Sequence, residues 1–118
     1  MKEIVLSGVI TERECGENYN ALYIGYAGPL SQVLEDEISK KQVSVRYWIS
    51  EKELSKDDLT EQYLEKLFGK AECDYTSCYS ELTGYLWTDE YLKVGGHDLV
   101  SELRSSVGKF VRLEIDVH

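Results

Sequence analysis

The sequence predicts an α+β protein in which a mixed or antiparallel sheet of five to six strands packs against three helices. Three observations predict this class. Residues 109–117 alternate apolar and polar side chains without interruption, as expected of a strand with one buried face in an antiparallel sheet. Residues 55–69 place apolar side chains at helical spacing between a capping-box-like pair and a glycine. The third observation is a correspondence between two helix–strand segments.

These two segments, residues 29–49 and 98–117, each combine a short amphipathic helix, a tight turn and an alternating strand. A Gly-containing turn precedes both of them. Duplication of one unit predicts that they superpose about a pseudo-twofold axis, whereas two unrelated amphipathic units would give the same pattern by chance. The corresponding positions are Leu30, Leu34, Ile38, Ser39 and Lys40 with Leu99, Leu103, Val107, Gly108 and Lys109, and then Val43, Val45, Tyr47 and Ile49 with Val111, Leu113, Ile115 and Val117.

The first half of the chain predicts a hairpin, a helix and a strand. Residues 4–13 and 21–26 are β-prone and flank a turn signal at residues 15–18, so they form a natural hairpin. Pro29 suits the first position of a helix because its missing N–H would be unpaired there. Residues 42–50 then alternate as a strand.

The second half begins with the helix over residues 55–69 and continues as a polar loop over residues 70–77. Residues 79–87 predict a further strand, and a turn at residues 88–90 leads into a short strand over residues 91–94.

Asp98 caps the last predicted helix, which Gly108 closes before the strand over residues 109–117. No Pro- or Ser-rich linker interrupts residues 1–118, so we expect a single globular domain. A small barrel of the oligonucleotide/oligosaccharide-binding type is the alternative architecture, because a helix after the third strand also matches its topology.

The chain of 118 residues has a net charge of −9, from 22 acidic and 13 basic side chains. Phosphate binding depends on clustered Lys and Arg, so duplex nucleic acid and anionic membranes are disfavoured as partners. No apolar run approaches the roughly 20 residues that cross a bilayer, and the N-terminus lacks the apolar core of a signal peptide. We therefore expect a cytoplasmic protein. The negative charge serves either solubility or binding to a basic protein surface.

Cys15, Cys73 and Cys78 are an odd number of cysteines, which argues against a disulfide framework. Their spacing does not match that of structural zinc sites. We expect free thiols, no metal site and no cofactor. With His97, either Cys73 or Cys78 would be the candidate for nucleophilic catalysis, although no local feature marks an activated thiol.

Strand parity places Arg46 and Trp48 on the face opposite the aliphatic side chains of their strand, and it places Tyr85 and Trp87 likewise. If these strands share a sheet, the four residues form one surface. Trp, Tyr and Arg dominate protein-binding hot spots, and aromatic rings also stack on nucleobases. The alternative is that this surface is part of the core, because large aromatic side chains are buried on average.

The turn Gly95-Gly96-His97-Asp98 is the secondary candidate site. Its glycines allow close backbone approach, and a histidine beside an aspartate can move protons. An ordinary turn followed by a helix cap explains the same residues. No phosphate-binding glycine loop and no other enzyme motif is present in the sequence.

These observations favour a non-enzymatic, acidic binding or regulatory protein that contacts another protein through the aromatic sheet surface. The first alternative is a small-molecule enzyme or ligand-binding domain that uses the Gly95–Asp98 turn. The second is a single-stranded nucleic-acid binder, or an acidic inhibitor of a nucleic-acid-binding protein. The oligomeric state stays open, because a sheet edge or the aromatic face could each pair two copies.

Overall fold

A computed structural model describes residues 2–14, 20–54, 65–80, 82 and 85–118, together with their side chains except those of residues 14, 76–80 and 85–89. These residues form one seven-stranded sheet and two α-helices. The elements in chain order are strand β1 (Lys2–Glu14), strand β2 (Asn20–Ile24), helix α1 (Leu30–Ile38), strand β3 (Gln42–Ser50), strand β4 (Glu65–Ser80), strand β5 (Tyr85–Val94), strand β6 (His97–Asp98), helix α2 (Leu99–Arg104) and strand β7 (Phe110–Val117).

The strands lie in the order β2-β1-β7-β3-β4-β5-β6, and every neighbouring pair is antiparallel. Two long strands change partner part-way along. Strand β1 pairs with β7 up to Val9 and with β2 from Ile10 onward. Strand β4 pairs with β3 up to Lys70 and with β5 from Ala71 onward. Each therefore joins the centre of the sheet to an outer hairpin.

The core lies between one face of the sheet and both helices. Alternate residues of β3 and β7 point to this face, which produces the uninterrupted alternation seen in the sequence. Helix α1 contributes every third or fourth residue, and α2 contributes Leu99, Val100 and Leu103. The fully buried large side chains are Ile10, Leu22, Ile24, Leu30, Leu34, Ile38, Leu92, Leu99, Leu103, Leu113, Ile115 and Val43.

Several sequence predictions are confirmed at the level of single elements. The first hairpin, the strand over residues 42–50 and the final strand are all present. Pro29 stands at the N-cap of α1, one residue before the predicted position. Asp98 caps α2, where its side chain accepts a hydrogen bond of 3.1 Å from the Val100 N–H.

The predicted count of five to six strands and three helices is wrong, because the described residues form seven strands and two helices. The last turn of the helix predicted over residues 55–69 and the predicted loop over residues 70–77 both belong to β4. The remainder of that helix, residues 55–64, lies outside the described residues. Ala71 and Cys73 are buried while Glu72 is exposed, so the chain alternates as a strand between β3 and β5.

The hairpin of β4 and β5, the second hairpin of the chain, also differs from its prediction. The expected strand over residues 79–87 is divided, since β4 ends at Ser80 and β5 begins at Tyr85. The expected turn at residues 88–90 lies inside β5, where pairing with β4 satisfies the backbone polar groups. The alternative of a closed small barrel is wrong as well, because the sheet has two free ends in its strand order.

The two halves of the chain have related pairing registers. In the first half Ile10 lies opposite Ile24, and in the second half Ala71 lies opposite Val94. At the centre of the sheet, β3 pairs with β7. If Val43 corresponds to Val111 and Ile49 to Val117, exchange of the two strands turns the pair Val43–Val117 into Ile49–Val111 and leaves the pair Arg46–Glu114 unchanged. The twofold relation between the two segments stays a prediction, with which these registers agree.

The same relation appears at the turns after the two helices. The Ile10 N–H donates to the Lys109 carbonyl oxygen over 2.8 Å, and the Ala71 N–H donates to that of Lys41 over 2.8 Å. Lys41 therefore occupies the place of Lys109. The alignment of the two segments pairs Lys40 with Lys109, whereas these hydrogen bonds pair Lys41 with Lys109.

Side chains link the two outer hairpins, β1–β2 and β4–β5, which lie towards opposite ends of the strand order. The Leu22 N–H of β2 donates to Glu90 Oε1 of β5 over 3.1 Å. Arg104 of α2 lies 3.5 Å from the same carboxylate oxygen and 3.4 Å from Glu12 Oε1 of β1. The edges thus meet through a carboxylate and a guanidinium rather than through strand pairing.

Candidate functional site

The face of the sheet opposite both described helices contains the first predicted contacts. Arg46 and Trp48 lie on it, as strand parity predicts, while Val45 and Tyr47 point to the core. We call this side the open face. Its cross-strand register brings together Val5, Arg46, Trp48, Phe68, Arg112 and Glu114.

A charged network occupies the centre of the open face. The Arg46 guanidinium lies 2.8 Å from Glu114 Oε1, and Arg112 Nε donates to Glu114 Oε2 over 2.9 Å. Glu114 is only 8% exposed, so both its oxygens are held by cations rather than by water. Asp116 lies 4.0 Å from Arg46 and adds a second, weaker attraction. The network thus pairs the Arg46 side chain with two carboxylates of β7.

Apolar side chains surround this network. Trp48 is 7% exposed, whereas Phe68 is 66% exposed and Val5 is 40% exposed. The Phe68 ring lies 6.1 Å from the His118 ring, and His118 Nε2 is 2.7 Å from Ser44 Oγ. Water contacts a large part of Phe68 and Val5, which makes them sites where a partner would gain by burial.

The sequence pattern does not identify Phe68 as a surface residue, because it places Phe68 in the helix predicted over residues 55–69. A signal for its true environment is present in the sequence. Leu67, Ala71 and Cys73 share one strand parity, while Lys66, Lys70 and Glu72 share the other, which Phe68 also occupies; this period of two indicates a strand. The helical spacing of residues 55–68 concealed that alternation.

Tyr85 and Trp87 are placed at the outer end of the second hairpin. Their backbone partners are Ser80 and Cys78 of β4. Lys66, the β4 partner of Arg46, lies 12 residues before Cys78, which corresponds to about 40 Å of extended strand. The structure therefore brings Arg46 and Trp48 together and sets the backbone of Tyr85 and Trp87 far along the strand from them.

The Gly95–Asp98 turn is occupied by structural interactions. Gly95 and Gly96 have φ angles of 57° and 85° and connect β5 to β6. Besides capping α2, the Asp98 carboxylate accepts hydrogen bonds from the Leu92 N–H at 3.2 Å and from Ser101 Oγ at 3.1 Å. Asp98 is thus engaged with the backbone and with α2.

Glu102 is the carboxylate beside His97. His97 Nδ1 lies 3.1 Å from Glu102 Oε1, and the Tyr47 hydroxyl donates to Glu102 Oε2 over 2.7 Å. Burial of Tyr47 raises the pKa of its hydroxyl well above the ordinary value, and the hydrogen bond to Glu102 raises it further. The hydroxyl therefore stays protonated and links β3 to α2.

A cavity of about 350 Å³ lies between α1 and the second hairpin. Cys73 lines it and is a free thiol whose Sγ donates to the Ser31 carbonyl oxygen over 2.9 Å. Burial raises the pKa of the Cys73 thiol to about 12, and the charges of Glu35 and Asp74 act in the same direction. Such a thiol is protonated at neutral pH, which makes it a poor nucleophile. The side chain of Cys78, the other candidate, lies outside the described set.

Comparison with protein-family models, with curated proteins and with solved structures found no match to this chain. Within residues 2–14, 20–54, 65–80, 82 and 85–118, no helix is long and apolar enough to span a membrane. The same part of the chain contains no group of three or more His, Cys, Asp or Glu side chains arranged to hold a metal ion.

Proposed function

We propose that this protein is a non-enzymatic binding protein of the cytoplasm that contacts a protein partner through its open face. The observation that carries the proposal is the surface formed by exposed Val5 and Phe68 around the Arg46–Glu114 pair. Aromatic and arginine side chains that are surrounded by well-packed neighbours are typical of interface hot spots.

The geometry supports this function in two ways. Glu114 and its two arginines hold their positions before any partner arrives, so little side-chain entropy is lost on binding. The exposed apolar area of Phe68 and Val5 supplies a favourable hydrophobic contribution of about 25 cal/mol per Å² buried. Tyr85 and Trp87 stay predicted contacts at a separate place on the second hairpin.

The test is affinity capture from a lysate of the native host with the wild-type chain and two open-face variants, Val5→Ser and Phe68→Ser. Val33→Ser is the matched control, because Val33 is 43% exposed on α1, away from the open face, and Val5 is 40% exposed. Trp48→Ala is unsuitable as a binding variant, because removing a buried Trp costs about 3–5 kcal/mol of stability.

We expect a specific protein that wild type and Val33→Ser retain and that both open-face variants lose. All variants are first checked for an unchanged circular dichroism spectrum and melting temperature. Retention of the same partner by every variant would contradict the open face as the binding surface.

A further inference from the structure

Strand β1 has a free edge along its first half. On one side, residues 2–9 pair with β7. On the other side β2 pairs with β1 only from Ile10 onward, and no strand in the described part of the chain pairs with the residues before Ile10. An unpaired edge of this kind presents backbone N–H and C=O groups to which a further strand can bond.

The backbone groups that face this edge follow from one hydrogen bond. The Gly25 N–H, just after β2, donates to the Val9 carbonyl oxygen over 2.8 Å, so Val9 directs its backbone groups away from β7. Successive residues of an antiparallel strand direct these groups to opposite sides. Glu3 and Val5 therefore share the direction of Val9, and no backbone hydrogen bond joins them to a described residue on that side.

An apolar groove follows the same stretch of β1. It has a volume of about 330 Å³ and lies between β1 and α1. Its apolar lining consists of Ile4, Leu6, Val33 and Leu34. The other lining residues are charged, and two of them, Lys2 and Glu37, form an ion pair. A strand added at the free edge would turn every second side chain towards this groove.

We propose that the free edge of β1 pairs with the same edge of a second copy of this chain, so that two sheets join through their β1 strands. The two strands would run antiparallel about a twofold axis, which makes the interface isologous. Antiparallel pairing sets residues with edge-facing backbone groups opposite one another. The candidate registers therefore place Glu3 opposite Glu3, Glu3 opposite Val5, or Val5 opposite Val5 of the second copy.

Charge and packing select the register in which Glu3 lies opposite Val5. Glu3 opposite Glu3 would set two like charges against each other, which is destabilising. Val5 opposite Val5 would set Lys2 against Gly8 of the second copy, where the chain after β2 already lies. A Cβ on Gly8 would be only 3.0 Å from the Gly25 Cα. In the selected register the paired residues end before that turn.

This register also matches the apolar side chains. Ile4 lies opposite Ile4 of the second copy on the side of the helices, so the two side chains meet where the two grooves join. Val33, which is 43% exposed on α1, lies beside them. Both open faces lie on the opposite side of the joined sheet. The dimer goes beyond the proposed function, which each single copy can perform.

Sedimentation velocity of the whole chain tests the dimer. We expect a dissociation constant on the order of 100 µM, because the edge supplies few backbone bonds. Salt at about 0.15 M screens the repulsion between two copies of net charge −9.

Glu3→Pro removes an N–H that faces the free edge, at a place where an edge strand accepts proline. It should weaken the dimer by about tenfold or more, because the loss occurs twice in the symmetric interface. Glu3→Ala is the matched control, since it keeps the N–H, and it should stay within about threefold of wild type. Circular dichroism and the melting temperature establish that both variants are folded.

Cysteine cross-linking tests the register independently of the proline variant. Cα atoms in a non-hydrogen-bonded antiparallel pair are about 4.5 Å apart, which a disulfide can span. Ile4→Cys should therefore give a disulfide-linked dimer on mild oxidation, and mass spectrometry of the linked peptide identifies the bond. Leu6→Cys is the control, because Leu6 lies opposite Lys2 in this register. A monomer at every concentration, equal dissociation constants for Glu3→Pro and Glu3→Ala, or equal cross-linking of both cysteine variants would overturn the proposal.

Discussion

At the scale of single residues, the Arg46–Glu114 pair has an unusual position. It lies within the run of residue pairs that joins β3 to β7 at the centre of the sheet. A strand paired with an identical copy of itself in this register would place like charges opposite each other. Here the two positions carry opposite charges at 2.8 Å. The pair therefore favours β3 against β7 over β3 against a second β3.

A charge-reversal cycle measures this contribution. Arg46→Glu should lower the free energy of unfolding by about 1–3 kcal/mol, because it leaves two carboxylates opposite each other and Glu114 is scarcely exposed. Adding Glu114→Arg should restore part of the loss, but not all, since Arg112 then loses its carboxylate. Urea unfolding of both single variants and the double variant gives the coupling energy. Simple additivity of the two single effects would contradict the role of the pair.

The Cys73 thiol predicts a pH dependence of stability. Its pKa is raised from 9.0 to about 12 by burial, so the folded chain keeps this proton at pH values where the unfolded chain releases it. The stabilisation is fully present below about pH 9 and falls as the pH rises towards about 12.

Urea unfolding at pH 7 and pH 10, for wild type and Cys73→Ala, tests this dependence. The decline in unfolding free energy between the two pH values should be smaller in the variant. Tyr47, whose pKa is also raised, contributes equally to both chains and cancels in the comparison. An identical decline in the two proteins would show that the thiol does not contribute.

At the scale of elements, β4 carries two competing patterns. Residues 55–68 have helical spacing with a capping-box-like pair, whereas Leu67, Ala71 and Cys73 share one strand parity and Lys66, Lys70 and Glu72 the other. From residue 65 onward the strand pattern prevails, because β3 on one side and then β5 on the other supply backbone hydrogen-bond partners. Local sequence does not contain those partners, so it could not decide between the two patterns.

The glycines at the turns after β2 and β5 provide a matched pair of substitutions. Gly25 and Gly95 have nearly the same φ, 59° and 57°, so alanine meets the same left-handed strain of about 1–2 kcal/mol at both. A Cβ on Gly95 would also overlap the Phe68 carbonyl oxygen, whereas the nearest atom to a Cβ on Gly25 is 3.9 Å away. Gly95→Ala should therefore destabilise more than Gly25→Ala.

Thermal and urea unfolding of these two variants measures the difference. Equal losses would mean that the second hairpin moves away from Phe68 without cost, and the close packing of Gly95 against β4 would then contribute nothing.

At the scale of the whole molecule, Glu90 links the two outer hairpins of the sheet. Its side chain is fully buried, accepts the Leu22 N–H and lies beside Arg104. The edge strand β2 thereby has one of its free donors satisfied by a residue of the opposite hairpin.

Removing this carboxylate should loosen the contact between the two hairpins. Glu90→Ala should cost about 2–4 kcal/mol, because it leaves a buried donor unpaired and weakens the pairing of Arg104. Glu90→Gln keeps an acceptor oxygen and should cost less. Hydrogen exchange at the Leu22 amide, measured beside urea unfolding, should accelerate in the alanine variant. An unchanged exchange rate would contradict the link.

The predictions from sequence that succeeded rest on neighbours within a few residues. The side-chain parity of Arg46 and Trp48, the Asp98 cap and the alternation of β7 follow from local backbone geometry and from the apolar pattern. Tyr85 and Trp87 stay predicted contacts. Their backbone lies far along β4 from Arg46, a separation that the sequence could not give because it depends on where β4 changes partner.

The strand count, the register of β3 against β7, the link through Glu90 and the cavity beside α1 were decided by tertiary structure alone. Each depends on residues far apart in the chain, such as Gly8 opposite Val111 and Leu22 beside Glu90. Pairing across such separations is selected by the burial and hydrogen bonding of the complete fold, whereas the amphipathic pattern of each strand specifies only which of its faces is buried.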